Sequence, residues 1–297
     1  MNESHGQKHW ALIVHGGAKH IERDEEQDNR SGIAAAATVG AKILEDGGSA
    51  LDAVEAAIRV LEDLPVFNAG RGSCLNEAGE IEMSSGLMDG SDLSVGAVGA
   101  IRNVRNPVRV ARALLREREV LLVGDGASLF ARECGAEFAS DEYLKDTPRA
   151  AAEHDTVGAV ALDLDGNIAA GTSTGGLPGK RVGRVGDSPL AGAGFYAQNG
   201  VGGVSLSGDG ESIIRVGAAA RIMGGIDDLG PEVASTRALD LLPVVGGKDG
   251  DGGAIVIRAD GQLGWHHNSS HFAVAIMTSD MDEPSAWLSK QEECNER

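Results

Sequence analysis

The sequence has few aromatic residues, few cysteines and no long apolar run. Aromatic side chains make up only 3% of the 297 residues, so any core has to be built from aliphatic side chains. The cysteines, Cys74, Cys134 and Cys294, are far apart and form no CxxC pair, which argues against a disulfide framework and a zinc site. No apolar run reaches the roughly 18 residues that a membrane span requires, so we expect no membrane helix.

Basic residues are also scarce relative to acidic ones. The 26 Lys and Arg residues and 45 Asp and Glu residues give a formal charge of −19, which repels nucleic acid and anionic membranes, so we expect neither as a partner. The first eight residues lack the basic and apolar stretches typical of a signal peptide, so we expect a cytoplasmic protein. Glycine is abundant, at 43 residues, which predicts many tight turns and close backbone approaches.

The apolar pattern predicts strands and helices in blocks, joined by hairpins rather than by βαβ crossovers. Strands are predicted at 9–15 (ending in a glycine turn at 16–17), 81–83, 93–101, 120–123, 157–164, 168–174, 201–206, 253–258, 262–266 and 272–277. Helices are predicted at 31–46, 49–64, 106–118, just after 123, 211–223 and 231–242. A polar, alanine-rich run at about 137–155 is interpreted as a linker. This order favours an α+β fold with two antiparallel sheets between helix layers.

The linker ends at Asp155-Thr156, directly before a buried strand. If this peptide bond breaks, Thr156 gains an α-amine with a pKa of about 7.7–8.0, which can serve as the base for its own hydroxyl. On its own, Thr156 fits an ordinary hairpin strand better. However, the turn at Asp165-Gly166 lies midway between Thr156 and Thr174, so the two hydroxyls are predicted to be neighbours.

Two further polar groups follow along the chain. Arg184 and Asp187 lie three residues apart in a glycine-flanked loop and suit the carboxylate and ammonium groups of an amino acid, although a surface ion pair also explains them. Ser207 and Gly208 precede a predicted helix, where a hydroxyl and exposed amides can hold an oxyanion or simply cap the helix. A nucleotide site at 124–126 is disfavoured, because the rest of a phosphate motif is missing.

These motifs resemble those of the plant-type asparaginase and isoaspartyl peptidase family of N-terminal-nucleophile (Ntn) hydrolases, relatives of aspartylglucosaminidase and taspase. The similarity covers nearly the whole chain, with matching segments at 14–18, 67–70, 88–90, 154–194 and 246–247. It implies a single Ntn-hydrolase domain over 1–297, folded as a four-layer αββα sandwich. It also implies self-cleavage into residues 1–155 and 156–297, and a homodimer of the cleaved units.

The resemblance implies a role for each site residue. Thr156 is the nucleophile, Thr174 its helper, and Arg184 and Asp187 hold the substrate's α-carboxylate and α-amine. The other positions implied in the site are Ser207 and Gly208 at the oxyanion, Asn68 near the nucleophile, and Gly210 at the substrate. No organic cofactor is implied, but a structural sodium ion is. Its implied ligands are the backbone carbonyls of Leu61, Glu62, Leu64, Phe67, Ala69 and Arg71.

The chain departs from the family pattern at three places. Ser207 stands where the family usually has threonine, Asp209 places a charge beside the oxyanion position, and 266–272 differs from the usual segment. We expect an amidohydrolase that releases aspartate from asparagine or from β-aspartyl dipeptides. The alternatives are a glycosylasparaginase or taspase-like endopeptidase on the same fold, or an inactive protein that binds a small molecule.

Overall fold

The structure is a computed structural model that describes residues 9–145 and 155–296. The strands of this part are β1 (Ala11–Lys19), β2 (Met83–Asp89), β3 (Val95–Ile101), β4 (Leu121–Val123), β5 (Val157–Leu162), β6 (Ile168–Thr174), β7 (Phe195–Gln198), β8 (Gly202–Gly208), β9 (Gly252–Arg258), β10 (Leu263–His267), β11 (His271–Thr278) and β12 (Ser285–Trp287). Its α-helices are α1 (Glu26–Glu45), α2 (Ala50–Asp63), α3 (Pro107–Leu114), α4 (Gly124–Glu133), α5 (Asp141–Leu144), α6 (Gly210–Val216), α7 (Ala218–Leu229), α8 (Pro231–Leu239), α9 (Leu242–Gly246) and α10 (Lys290–Glu296). Among these helices, none is long and apolar enough to cross a membrane.

The strands form two sheets. The larger has the order β12-β11-β1-β5-β6-β2-β3-β4 and the smaller has the order β10-β9-β8-β7. Neighbouring strands are antiparallel except for β3 and β4, which are parallel because α3 carries the chain back between them. This short edge pair is the one departure from the predicted antiparallel sheets in the described part of the chain.

Alternate residues of the central strands pack on opposite faces and create the layers. In β1, Leu12 packs with α1 and α2, whereas its neighbour Ile13 shares a core with Ile255 of β9 in the smaller sheet. In β9, Val256 faces the other way and packs with residues of α7 and α8. The order helix, sheet, sheet, helix confirms the predicted αββα sandwich.

Several elements begin or end where local sequence dictates. Ser49 caps α2 by accepting a hydrogen bond from the backbone amide of Asp52. The helix predicted at 211–223 is instead split into α6 and α7 at Gly217, which adopts a left-handed conformation with φ of 63°. Within the predicted linker, Asp141–Leu144 forms one helical turn, and residues 146–154 lie outside the described part of the chain.

Strand β1 does not end in the predicted glycine turn. It continues through a bulge between His15 and Ala18 and reaches Lys19. Gly17 has φ of 108°, and a Cβ atom there would lie 1.6 Å from Oδ1 of Asp155, so only glycine fits. The bulge therefore brings the end of β1 against the residue that precedes Thr156.

The ends of four strands meet at one edge of the sandwich. Strands β1, β6 and β8 end there at Lys19, Thr174 and Gly208, and β5 begins there at Val157. The antiparallel pairing of β5 with β1 and β6 fixes the ends of these three strands, and β8 brings the fourth from the smaller sheet. Consequently Thr156, Thr174 and Gly208 lie at or beside rigid strand ends, whereas Asn68, Arg184 and Asp187 lie in loops that pack against them.

The ring of Phe67 lies against two glycines. A Cβ atom on Gly16 would be 2.5 Å from the ring, and one on Gly32 in α1 would be 2.6 Å from it. Phe67 is fully buried and precedes Asn68. This close approach holds the loop at 67–68 against β1 and α1.

We expect Gly32→Ala to lower the melting temperature by about 2–8 °C, because overpacking a core costs about 1–3 kcal/mol. The control is Gly224→Ala in α7, where no atom lies within 4 Å of the new Cβ. Alanine is the better helix former, so this variant should be unchanged or slightly more stable. Differential scanning calorimetry compares the two, and equal shifts would contradict the close packing at Gly32.

Candidate active site

Two side chains donate hydrogen bonds to the carbonyl oxygen of Asp155, the residue before Thr156. The hydroxyl of Thr174 donates over 2.8 Å, and Nδ2 of Asn68 donates over 3.2 Å. Both donors are buried. A carbonyl that accepts two buried hydrogen bonds is polarised towards attack, and the same donors can stabilise the oxyanion that attack produces.

Neighbouring groups fix the direction of both donors. The backbone amide of Gly176 donates to Oγ1 of Thr174 over 2.9 Å, which leaves the threonine hydrogen for Asp155. Oδ1 of Asn68 accepts from the amide of Cys74 over 2.9 Å, so its Nδ2 faces Asp155 and the carbonyl of Gly176. Neither side chain therefore has to reorient when charge develops on the Asp155 oxygen.

Thr156 lies beside this carbonyl at the start of β5. Its Oγ1 is 3.3 Å from the hydroxyl of Ser188, and both residues line a small cavity. The predicted site residues that line the same cavity are Asp155, Thr156, Thr174, Arg184, Asp187 and Gly208. The cavity thus brings together the Thr156 hydroxyl, the Thr174 hydroxyl that binds the Asp155 carbonyl, and a cationic and an anionic side chain, whereas the predicted site residue Asn68 does not line it.

Arg184 and Asp187 are not a surface ion pair. The Arg184 guanidinium makes two hydrogen bonds to the carboxylate of Glu211, at 2.9 and 2.6 Å. Burial raises the pKa of the Asp187 carboxyl to about 7, and its Oδ2 has no hydrogen-bond partner among the described residues. A Cβ atom on Gly210 would lie 2.8 Å from Oδ1 of Asp187, so glycine leaves the room that this carboxylate needs. A buried carboxylate with an open oxygen suits an incoming cation.

The oxyanion position differs in detail from expectation. Gly208 lines the cavity, but Ser207 is fully buried, and its hydroxyl oxygen accepts from the amide of Ala18 over 2.9 Å. Asp209 does not line the cavity; its carboxylate accepts from the hydroxyl of Ser212. The Asp209 side chain therefore does not enter the cavity, but its charge still acts on the site, since it contributes to the raised pKa of Asp187. A catalytic role for Ser207 stays a prediction.

Three residues at the site were not predicted from the sequence. Ser188 follows Asp187 directly, and its position in the same polar run is the only local signal for it. Lys180 donates to the carbonyl of Gly175 over 2.8 Å, and burial lowers the pKa of its ammonium to about 8. Lys180 thereby fixes the peptide group between Gly175 and Gly176. The amide of the same peptide group donates to Thr174 and orients its hydroxyl. The third residue is Lys19, which pairs with Asp155.

Together, fold and site define a class of protein. The chain folds as an αββα sandwich with a buried threonine at the start of a strand, directly after a peptide carbonyl that accepts two hydrogen bonds. This is the architecture of an Ntn-hydrolase. A family model described as asparaginase matches residues 8–151 and 140–285. The chain therefore belongs to the asparaginase family of hydrolases.

Relatives match along most of the chain. A protein of Xenopus laevis named isoaspartyl peptidase/L-asparaginase is 40% identical over 91% of this chain and 92% of its own length. One of Macaca fascicularis with the same name is 43% identical over 89% of this chain and 92% of its own length. A plant-type L-asparaginase of Pyrococcus horikoshii is 41% identical over 93% of this chain and 99% of its own length.

Proposed function

We propose that this chain is a self-cleaving amidohydrolase that releases L-aspartate from β-aspartyl dipeptides and L-asparagine, with Thr156 as nucleophile. The observation that carries the proposal is the carbonyl oxygen of Asp155, held by Thr174 and Asn68 beside the Thr156 hydroxyl. Relatives of nearly full-length similarity bear names for these two activities.

Maturation begins when Oγ1 of Thr156 attacks the carbonyl carbon of Asp155. The negative charge that forms on the Asp155 oxygen is stabilised by the donors on Thr174 and Asn68. The proton lost by the Thr156 hydroxyl passes to the threonine nitrogen as collapse breaks the carbon–nitrogen bond. This leaves an ester between Asp155 and the threonine oxygen, with the α-amine of Thr156 free. Water then hydrolyses the ester, which yields the α-carboxylate of Asp155 and restores the hydroxyl.

Turnover uses the α-amine that maturation creates. The amine takes the proton of the Thr156 hydroxyl as the oxygen attacks the substrate's side-chain carbonyl, and the leaving amine receives a proton. Ammonia leaves from asparagine, and an amino acid leaves from a β-aspartyl dipeptide. Water hydrolyses the acyl-enzyme and releases aspartate, while Gly208 offers its backbone amide to the oxyanion.

Arg184 and Asp187 at the cavity recognise the α-carboxylate and α-ammonium groups of the substrate. Arg184 binds the α-carboxylate, and the buried carboxylate of Asp187 binds the α-ammonium. An internal peptide lacks that ammonium, so Asp187 favours a free amino-acid head over the substrates of a taspase-like endopeptidase. The existence of a buried nucleophile beside a polarised carbonyl likewise favours an enzyme over an inactive binding protein.

The resemblance to this family also bears on the oligomeric state, the cellular location and the partners of the protein. We propose a homodimer of cleaved units in the cytoplasm, with small molecules as substrates and no nucleic-acid partner, in accord with the formal charge of −19. Size-exclusion chromatography with light scattering tests the dimer, and a monomeric mature enzyme would contradict it.

We propose a sodium ion at the turn formed by the last residues of α2 and the loop that follows it. A Cβ atom on Gly70 would be 2.4 Å from the carbonyl oxygen of Glu62, and one on Gly72 would be 1.8 Å from that of Phe67, so the loop folds tightly back over these oxygens. Hard cations prefer such oxygen ligands. The carbonyls of Leu61, Glu62, Leu64, Phe67, Ala69 and Arg71 would hold the ion, which would stiffen the loop that carries Asn68.

Replacing sodium chloride by choline chloride at equal ionic strength should lower the melting temperature by about 2–6 °C, because a ligand of the folded state stabilises it. Gly72→Ala, which pushes against the Phe67 carbonyl, should abolish this difference between the two salts. The sodium proposal is wrong if the wild-type protein melts at the same temperature in both salts.

We expect Thr174→Val to slow cleavage of the Asp155–Thr156 bond by about 10²–10³-fold, because it removes one oxyanion donor at nearly constant shape. Intact-mass time courses measure the rate. The control is Thr172→Val on the same strand, whose buried hydroxyl bonds the carbonyl of Ser188 instead. Equal cleavage rates in the two variants would remove Thr174 from the mechanism.

The KM for a β-aspartyl dipeptide should fall by about tenfold between pH 6 and pH 8. Below its pKa of about 7 the Asp187 carboxyl is protonated and cannot pair with the substrate's ammonium, and above it the carboxylate forms. Steady-state kinetics across this range measures the change. In Asp187→Asn the KM should be high and independent of pH; a wild-type KM without this trend would show that Asp187 does not bind the ammonium.

A further inference from the structure

A buried ion pair joins the end of β1 to the residue before the nucleophile. Nζ of Lys19 lies 2.8 Å from Oδ2 of Asp155, and the two side chains are 1% and 0% exposed. The ammonium also donates to the carbonyl of Val66 over 3.2 Å. The partners are 136 residues apart in the chain, so the pair forms only when the strand ends meet.

The pair acts on the same residue whose carbonyl is polarised. Oδ2 of Asp155 accepts a second hydrogen bond, from the backbone amide of Asn68 over 3.3 Å, while the side chain of Asn68 binds the Asp155 carbonyl. The other carboxylate oxygen fits against Gly17. Both ends of Asp155, its carboxylate and its carbonyl, are thus held by residues of separate elements.

A buried ion pair of this kind is a poor means of stabilising a fold. Removing two charges from water costs several kcal/mol per ion, and replacing such a pair by apolar side chains is often neutral or stabilising. The ion pair does more to fix the positions of its two side chains than to stabilise the fold, because a charge-assisted hydrogen bond is short and directional. Its placement on the residue before Thr156 therefore points to a role in aligning the peptide bond.

We propose that Lys19 is a positioning residue for self-cleavage. By anchoring the Asp155 carboxylate, it keeps the adjoining carbonyl oxygen on Thr174 and Asn68 and the carbonyl carbon beside the Thr156 hydroxyl. Lys19 neither gives nor takes a proton in this step. The proposal rests on the self-cleavage described above and adds to it the residue that aligns the bond.

The test is a double-mutant cycle on the rate of self-cleavage. Lys19→Met, Asp155→Asn and the double variant are made by cell-free synthesis, and intact mass is followed with time in the full-length chain. Each single change should slow cleavage about tenfold or more. The double variant should be no slower than the slower single one, because either change already removes the same contact. Rates that multiply in the double variant would overturn the proposal.

Two further variants separate positioning from stability. Lys19→Arg keeps the positive charge and should cleave within about threefold of wild type. Lys290→Met breaks another largely buried pair, with Glu293 at 2.6 Å, and should lower the melting temperature while cleavage stays normal. Melting temperatures are compared in the Thr156→Ala background, where every chain remains uncleaved. If Lys19→Met cleaves like wild type, the role of Lys19 is wrong, whereas a wild-type chain that never cleaves overturns self-cleavage itself and Lys19 with it.

Discussion

Two hydrogen bonds hold the carbonyl oxygen of Asp155, and the arrangement of the rest of the site depends on them. They place Thr174 at the end of β6 and Asn68 in its loop at the one peptide bond that precedes β5. Their donors are fixed in turn by the amides of Gly176 and Cys74. Such preorganised dipoles stabilise a developing charge without reorganisation, which is the largest single source of catalysis in many enzymes.

The high glycine content of the chain allows the strands around the site to pack closely. Several glycines stand where any side chain would collide with a neighbouring strand, so the strands around the site can approach one another only because of them. A Cβ atom on Gly158, for example, would be 2.1 Å from the Ser205 hydroxyl and 2.5 Å from Nε2 of His15. The His15 ring is fully buried there, and burial lowers its pKa to about 3, so it stays neutral.

The sequence predicted most elements and the main pair of hydroxyls, because both depend on local pattern. The turn at Asp165-Gly166 fixes the register of β5 and β6, and this brings Thr174 to the Asp155 carbonyl. Other features depend on long-range contacts or on side-chain direction, which periodicity does not encode. The ion pair between Lys19 and Asp155 is one, and the turning of Asp209 towards Ser212 is another. The break at Gly217 was missed because a single glycine within a helical pattern is often tolerated.

The central claim is that Thr156 becomes an N-terminal nucleophile. The most direct measurement combines the intact mass of purified, incubated protein with N-terminal sequencing of its fragments. We expect two chains, residues 1–155 and 156–297, the second beginning Thr-Val-Gly, with hydrolysis of β-aspartyl dipeptides appearing as the precursor is cleaved. A single uncut chain of 297 residues that hydrolyses these dipeptides would contradict it.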